Sequence, residues 1–270
     1  MLEWRYREQL AWRLVPIGLT ESAEQYRRRG YTPARSALGA LRFRERYGMP
    51  FAVAPKPRVS ATARACRAIV ATRLRHPGRE FSVYRAIQLA NFNTPLVLDD
   101  DEQLRAVLRE VPGVDADGVI AALDSAEVSA AYEAGRAEAR SAAGSAAELQ
   151  GKTAQTDGPV RFTAPSLVFE RDGQRLVAGG FQPVEAYDVL ICNLDPTLRR
   201  EPPPDSPEPL LDAFPEGLTT QEVAALLARG NDPPDRAGAE AALIELLAAG
   251  RAARRPLGDD ALWYPASATA

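Results

Sequence analysis

The stretch VRFTAPSLVFERDGQRLVAGGF, Val160 to Phe181, reads as two short strands joined by a tight turn. Leu167, Val168 and Phe169 stand before the turn and Leu176 and Val177 after it, all apolar and either branched or bulky. Asp172-Gly173 between them predicts a two-residue hairpin, because both residues tolerate the positive φ such turns require. Pro165 stands at the mouth of the first strand, where a ladder N–H would otherwise be wanted, a place a proline tolerates when it begins the strand. Its peptide bond can be trans, the commoner arrangement on spacing alone, or cis. Downstream, Pro183 suits a first helical position. Val184, Tyr187, Ile191 and Leu194 then fall on one face at helical spacing.

Around this stretch, 270 residues with a net charge of −3 allow one large domain, or a principal domain with a small companion. Lys56 and Lys152 are the only lysines, a bias toward arginine that reads as genome composition. Residues 1–98 carry an arginine excess and the rest is acidic. Such asymmetry can mark a polyanion site, but charges pairing across solvated helix faces account for it better. No run reaches the length of a membrane span, and Met1 to Thr20 has no apolar leader core. The expected setting is cytoplasmic, with reduced thiols. Cys66 and Cys192 lie far apart and make neither a disulfide framework nor a metal set. The one histidine, His76, sits in an Arg-His-Pro-Gly turn, leaving little from which to build a triad or a histidine metal site. No metal and no cofactor is expected.

Strand, proline, strand, Gly-Gly-Phe-Gln-Pro and a closing helix together resemble the second half of a thioredoxin fold. More specifically they resemble the DsbA family of thiol–disulfide oxidoreductases, in the branch with FrnE-type dithiol isomerases and 2-hydroxychromene-2-carboxylate isomerases. The resemblance spans most of residues 9–195. It implies a cis proline at Pro165. It also implies that Thr163, Ala164, Pro165 and Ser166 offer main-chain groups to a peptide or small-molecule thiol or disulfide. Leu2 to Glu8 reads as a helix tail and Leu10 to Leu19 as a buried strand. In the family a central strand and a Cys-x-x-Cys at a helix N-terminus precede that tail. The resemblance therefore implies a chain that starts part-way down the helix, without the first strand or the dithiol. That dithiol's thiolate is what the helix dipole stabilises, and mixed-disulfide exchange needs it. Cys66 lies on the apolar face Val59, Ala63, Cys66, Val70, Leu74, and Cys192 on the closing helix; both read as inert buried thiols. No catalytic residue is assigned. With the first strand absent, strand 10–17 and the proline strand lack ladder partners. That predicts poor solubility, or a gap in the sheet filled by something else.

Residues 20–158 read as a helical insertion similar to that of the FrnE-type branch. Thr32-Pro33 opens a helix that Gly48 closes. Further helices carry Cys66, then Glu80 to Phe92, then Leu104, Val107 and Leu108, then Val119, Ile120 and Leu123. The cluster Asp99-Asp100-Asp101-Glu102 invites a metal, but carboxylates gathering at a helix N-terminus explain it. Ser141 to Gly158 reads as a small, polar surface loop, with a flexible lid over the active-site face as the alternative. Its Lys152-Thr153 lacks the glycine spacing of a phosphate loop.

Residues 201–209 form a stiff proline-rich linker, and 210–265 resemble a winged-helix domain. Thr219 and Glu222 form a capping box flanked by Leu218 and Val223. Two helices follow, then a hairpin around Gly258-Asp259-Asp260. The domain is acidic, and Glu240 and Glu245 accompany Arg236 on the second helix; Arg251, Arg254 and Arg255 are its one basic spot. Nucleic acid is therefore disfavoured and contact with a protein preferred. The fold class expected is α/β: a thioredoxin-like fold with a large helical insertion over 1–200, plus a small winged-helix-like domain. Two kinds of function follow. One is a DsbA-family oxidoreductase or dithiol isomerase, redox-inactive as written for want of a Cys-x-x-Cys. The other is a non-catalytic binding or adaptor protein. A glutathione-dependent isomerase, with serine in place of the nucleophilic cysteine, is a related reading.

Overall fold

The computed structural model describes residues 1–155 and 158–269. It is a mixed α/β chain with small antiparallel sheets set among helices. In chain order come α1 (Leu2–Tyr6), α2 (Ala23–Arg28), α3 (Pro33–Tyr47), α4 (Ala63–Arg75), α5 (Glu80–Asn93), α6 (Asp101–Arg109) and α7 (Ala116–Ala122). Then follow α8 (Ala126–Ala139), α9 (Ala146–Leu149), β1 (Thr153–Ala154), β2 (Arg161–Phe162), β3 (Leu167–Arg171), β4 (Gln174–Ala178) and α10 (Val184–Leu194). The last are α11 (Glu208–Ala213), β5 (Leu218–Thr219), α12 (Thr220–Leu227), α13 (Arg236–Ala248), β6 (Ala252–Leu257) and β7 (Asp260–Pro265). Among the described residues no helix is long and apolar enough to cross a membrane.

Contacts group the chain into two compact units, residues 1–18 with 124–201 and residues 19–123 with 202–270. These units cut the chain differently from the segments read in the sequence, since the helices up to Leu123 group with the C-terminal residues.

In the first unit, β3 and β4 pair antiparallel from Leu167↔Ala178 to Arg171↔Gln174. Asp172 and Gly173 both take positive φ, 50° and 79°, so the turn is the type that matches strand twist. Helix α10 packs across this hairpin. Its inward Tyr187 and Ile191 join Leu2, Tyr6 and Ala178 in one core, with Leu167 and Phe169 against it. Pro183 caps α10 instead of beginning it. A second antiparallel pair, Thr153↔Phe162 and Ala154↔Arg161, ties the Ser141 to Gly158 stretch that reads in sequence as loop to the residues just before the corner. Helices α8 and α9 were equally unforeseen.

The strand expected over residues 10–17 is absent. Side-chain burial does alternate there: Leu10, Trp12 and Leu14 are half-covered while Ala11 and Arg13 are exposed. What is missing is the ladder. Neither hairpin pairs with this segment, and an extended chain without a hydrogen-bonded neighbour is not a strand.

In the second unit the three-stranded sheet has the order β5-β7-β6, with α12 and α13 packed together and against it. Trp263 of β7 is fully buried. Its indole N–H donates to the Thr220 hydroxyl at 2.9 Å, which in turn donates to Asp260 at 2.7 Å. The capping box forms as read, with Thr219 and Glu222 each satisfying the other's backbone N–H. Arg85 of α5 donates to both carboxylate oxygens of Glu222 at 2.8 Å and to the Gly217 carbonyl at 2.6 Å. Burial alone would raise Glu222; the hydrogen bonds and charge of Arg85, with Thr219, outweigh it and hold the carboxyl low.

The acidic cluster before α6 is occupied by protein partners. Asp99 takes Arg58 and the Ala61 N–H, Asp100 caps α6 by accepting from Gln103 N at 3.0 Å, and Asp101 pairs with Arg64. Nearby, the Lys56 ammonium donates to the Leu96 carbonyl and to Asn91. Burial pushes its pKa down to about 8, against a smaller upward pull from Asp99. An unfolded lysine titrates near 10.4, so between about pH 8 and 10.4 the unfolded chain holds more protons than the folded one. Stability should rise with pH across that window, by on the order of 2 kcal/mol. Urea denaturation of wild type and Lys56→Met at pH 7.5 and 9.5 checks this: the rise is expected in wild type and is expected to be smaller in the variant.

Candidate functional site

The corner Thr163-Ala164-Pro165-Ser166 joins β2 to β3. Thr163 is tied down on one side, its backbone N–H and its hydroxyl both donating to the Lys152 carbonyl, at 3.4 and 2.8 Å. Ser166 fastens the other side. Its hydroxyl donates to the Thr163 carbonyl at 2.5 Å and accepts from the Gly180 N–H at 3.0 Å. Gly180 is held in turn, its carbonyl accepting from the Tyr187 hydroxyl at 3.3 Å, while that hydroxyl accepts from Gln182 N at 3.0 Å. Gly179 is required by space, since a Cβ there would lie 2.4 Å from that of Ala147, and Gly180 by its φ of 69°. Helix α10 thus positions the corner through Tyr187.

Thr163 and Ser166 are half-buried, whereas Ala164 and Pro165 are exposed. The Ala164–Pro165 peptide bond is cis, as the resemblance implies. Among the described residues nothing hydrogen-bonds the Ala164 N–H or carbonyl. The two-residue turn makes Arg171↔Gln174 the closing hydrogen-bonded pair, so alternate residues Phe169 and Leu167 also face β4. Val168 and Glu170 therefore direct their N–H and C=O groups to the opposite edge of β3. No strand among the described residues pairs with that edge. Ala164, Val168 and Glu170 thus carry backbone groups that no other part of the described chain engages.

Beneath the hairpin lies a charged anchor that the sequence did not suggest. The Tyr6 hydroxyl donates to Asp188 at 2.5 Å, and Arg5 and Arg200 approach the same carboxylate at 3.3 and 3.0 Å. Burial, reinforced by Asp188, pushes Tyr6 up to about 12. Asp188 itself is held low: burial would raise it, but Tyr6 and the two arginines prevail. Arg171 at the far end of β3 pairs with the buried Asp195 that ends α10. The turn end of the hairpin is thereby pinned to the end of the helix.

The cysteines depart from expectation in being half-buried instead of buried. Cys66 lies in the first turns of α4, and Cys192 in the last turn of α10 with its sulfur against Arg200. A separate open cleft of about 460 Å³ lies between α9, β4 and α10, lined by Ser145, Gln150, Arg175, Val177 and Leu190 among others. None of the four corner residues lines it. No group of three or more metal-ligating side chains gathers among the described residues.

No protein-family model and no curated protein matches the chain.

Proposed function

We propose that residues 1–18 with 124–201 form a DsbA-like, thioredoxin-related body that binds an extended peptide at its Thr163–Ser166 corner and carries out no thiol–disulfide exchange. The observation that carries the reading is the set of unengaged main-chain groups at Ala164, Val168 and Glu170. An extended chain recognises such groups by adding itself to a strand edge. The absence of a Cys-x-x-Cys supports the second half of the reading, because exchange needs an attacking thiolate with a resolving partner. Binding of thiol-bearing or disulfide-bearing peptides in a reducing cytoplasm belongs to this proposal.

A second reading concerns the C-terminal module. The order α11, β5, α12, α13, β6, β7 with sheet order β5-β7-β6 supports a winged-helix-like module. Helix α13 offers Glu240 and Glu245 outward, which supports a protein partner and disfavours DNA. On this reading the whole chain is an adaptor.

The test uses fluorescent, reduced and alkylated insulin B chain as an extended probe. Saturable binding is expected. Val168→Pro should weaken it about fivefold to tenfold, the equivalent of one hydrogen bond, while leaving the hairpin folded because that N–H points away from β4. Unchanged binding by the variant would remove the corner and its edge from the account. In a parallel insulin-reduction assay with dithiothreitol, no acceleration over the uncatalysed rate is expected; acceleration would contradict the redox-inactive half.

A further inference from the structure

Two helices of the second unit carry complementary surfaces that the chain itself leaves uncovered. On α13, Ala237, Ala241, Ile244 and Ala248 recur at the four-three-four spacing of a helix-packing seam. All four are exposed, Ile244 at 52%, with Leu247 beside them at 38%. Glu240 and Glu245 flank this stripe, and among the described residues neither is in an ion pair. Helix α3 is the opposite case. It runs for 15 residues with no buried residue. Leu38, 60% exposed, lies on its outer face with Arg35 and Arg42, three residues before and four after. Among the described residues neither arginine pairs with a carboxylate; Arg35 reaches the Gly30 carbonyl and the Tyr31 ring.

We propose that the outer face of α13 is a docking surface for α3 of a second copy of this chain. Charge selects the pairing. Two copies of α13 face to face would bring their glutamates together, whereas α3 sets Arg35 and Arg42 against Glu240 and Glu245 and Leu38 against Ile244. The alanines let the two backbones approach closely. The surfaces are different, so the association is head-to-tail. One helix–helix contact buries less than the roughly 1,200 Å² of a stable interface, so the complex is weak and reversible. This inference rests on reading α13 as a protein-contact face and is independent of the peptide corner.

Sedimentation velocity of the full chain over a wide concentration range tests it. Wild type is expected to sediment faster as concentration rises at low salt, and to lose that behaviour in about 0.5 M salt, where the screening length is a few ångströms. Glu240→Arg/Glu245→Arg and Arg35→Glu/Arg42→Glu should each be monomeric alone and should associate when mixed, because mixing restores opposite charges. Arg35, Arg42 and Glu245 are exposed and Glu240 is half-buried, and circular dichroism of each variant confirms the fold. A wild type that stays monomeric throughout would overturn the proposal. So would self-association that survives Arg35→Glu/Arg42→Glu, which would indicate contact between two α13 faces, or mixed variants that fail to associate.

Discussion

Replacing Tyr6 by alanine is expected to destabilise the first unit by about 3–5 kcal/mol, the range for truncating a buried aromatic ring. Tyr6 is 0% exposed and belongs to the same core as Ala178, Tyr187 and Ile191. Its removal opens a cavity under the hairpin and leaves Asp188 without its neutral donor. Tyr6→Phe keeps the ring and loses only the hydroxyl, so a cost of about 1–2 kcal/mol is expected. Two pH windows carry the same signature. Asp188 is held below its unfolded value, so its contribution is present above about pH 4 and is lost as pH falls through the folded pKa. Tyr6 is raised to about 12, so its contribution is present below about pH 10 and is lost between there and 12. Chemical denaturation of the two variants against wild type reads both effects. A Tyr6→Ala protein as stable as wild type would mean that α1 is not part of this core.

Trp263→Ala should cost the second unit a comparable amount, about 3–5 kcal/mol. Trp263 is also 0% exposed, sits in the middle strand of the sheet opposite Leu218 and Arg254, and donates to Thr220. The hydroxyl of Thr220 then serves Asp260, whose other partner is Arg236 at the start of α13. Loss of the indole therefore removes both volume and the donor at the head of a buried relay. Trp263→Phe separates the two, restoring most of the volume without the donor, and should lose about 1–2 kcal/mol. Equal losses for alanine and phenylalanine would assign the effect to the relay; a negligible loss for either would contradict the packing described.

What could be read in the sequence was local. Asp172-Gly173 specifies its own turn by tolerating positive φ, and the hairpin follows. Thr32-Pro33 with Gly48, and Thr219 with Glu222, mark helix ends by satisfying terminal N–H groups within four residues. What could not be read depended on partners remote in sequence. Leu10 to Leu14 alternates like a strand, but only a neighbouring strand could make it one. Strand β1, which pairs with β2, lies in a stretch of small residues with no apolar alternation. Helix α8 was signalled only by Ser125, which caps it, because its inward residues Val128, Tyr132 and Ala139 are diluted by alanine. The corner residues came from a resemblance, whereas the bonds that hold them span fourteen residues from Ser166 to Gly180 and eleven from Lys152 to Thr163. The Tyr6–Asp188 anchor spans 182 positions and leaves no trace in spacing.

The most direct test of the central claim is amide mapping of the isotopically labelled full chain during titration with reduced, alkylated insulin B chain. The account predicts saturable shifts at the Ala164, Val168 and Glu170 N–H groups, with the inward amides of Leu167 and Phe169 less affected. Shifts confined to other surfaces, with those three amides unmoved at saturation, would contradict it.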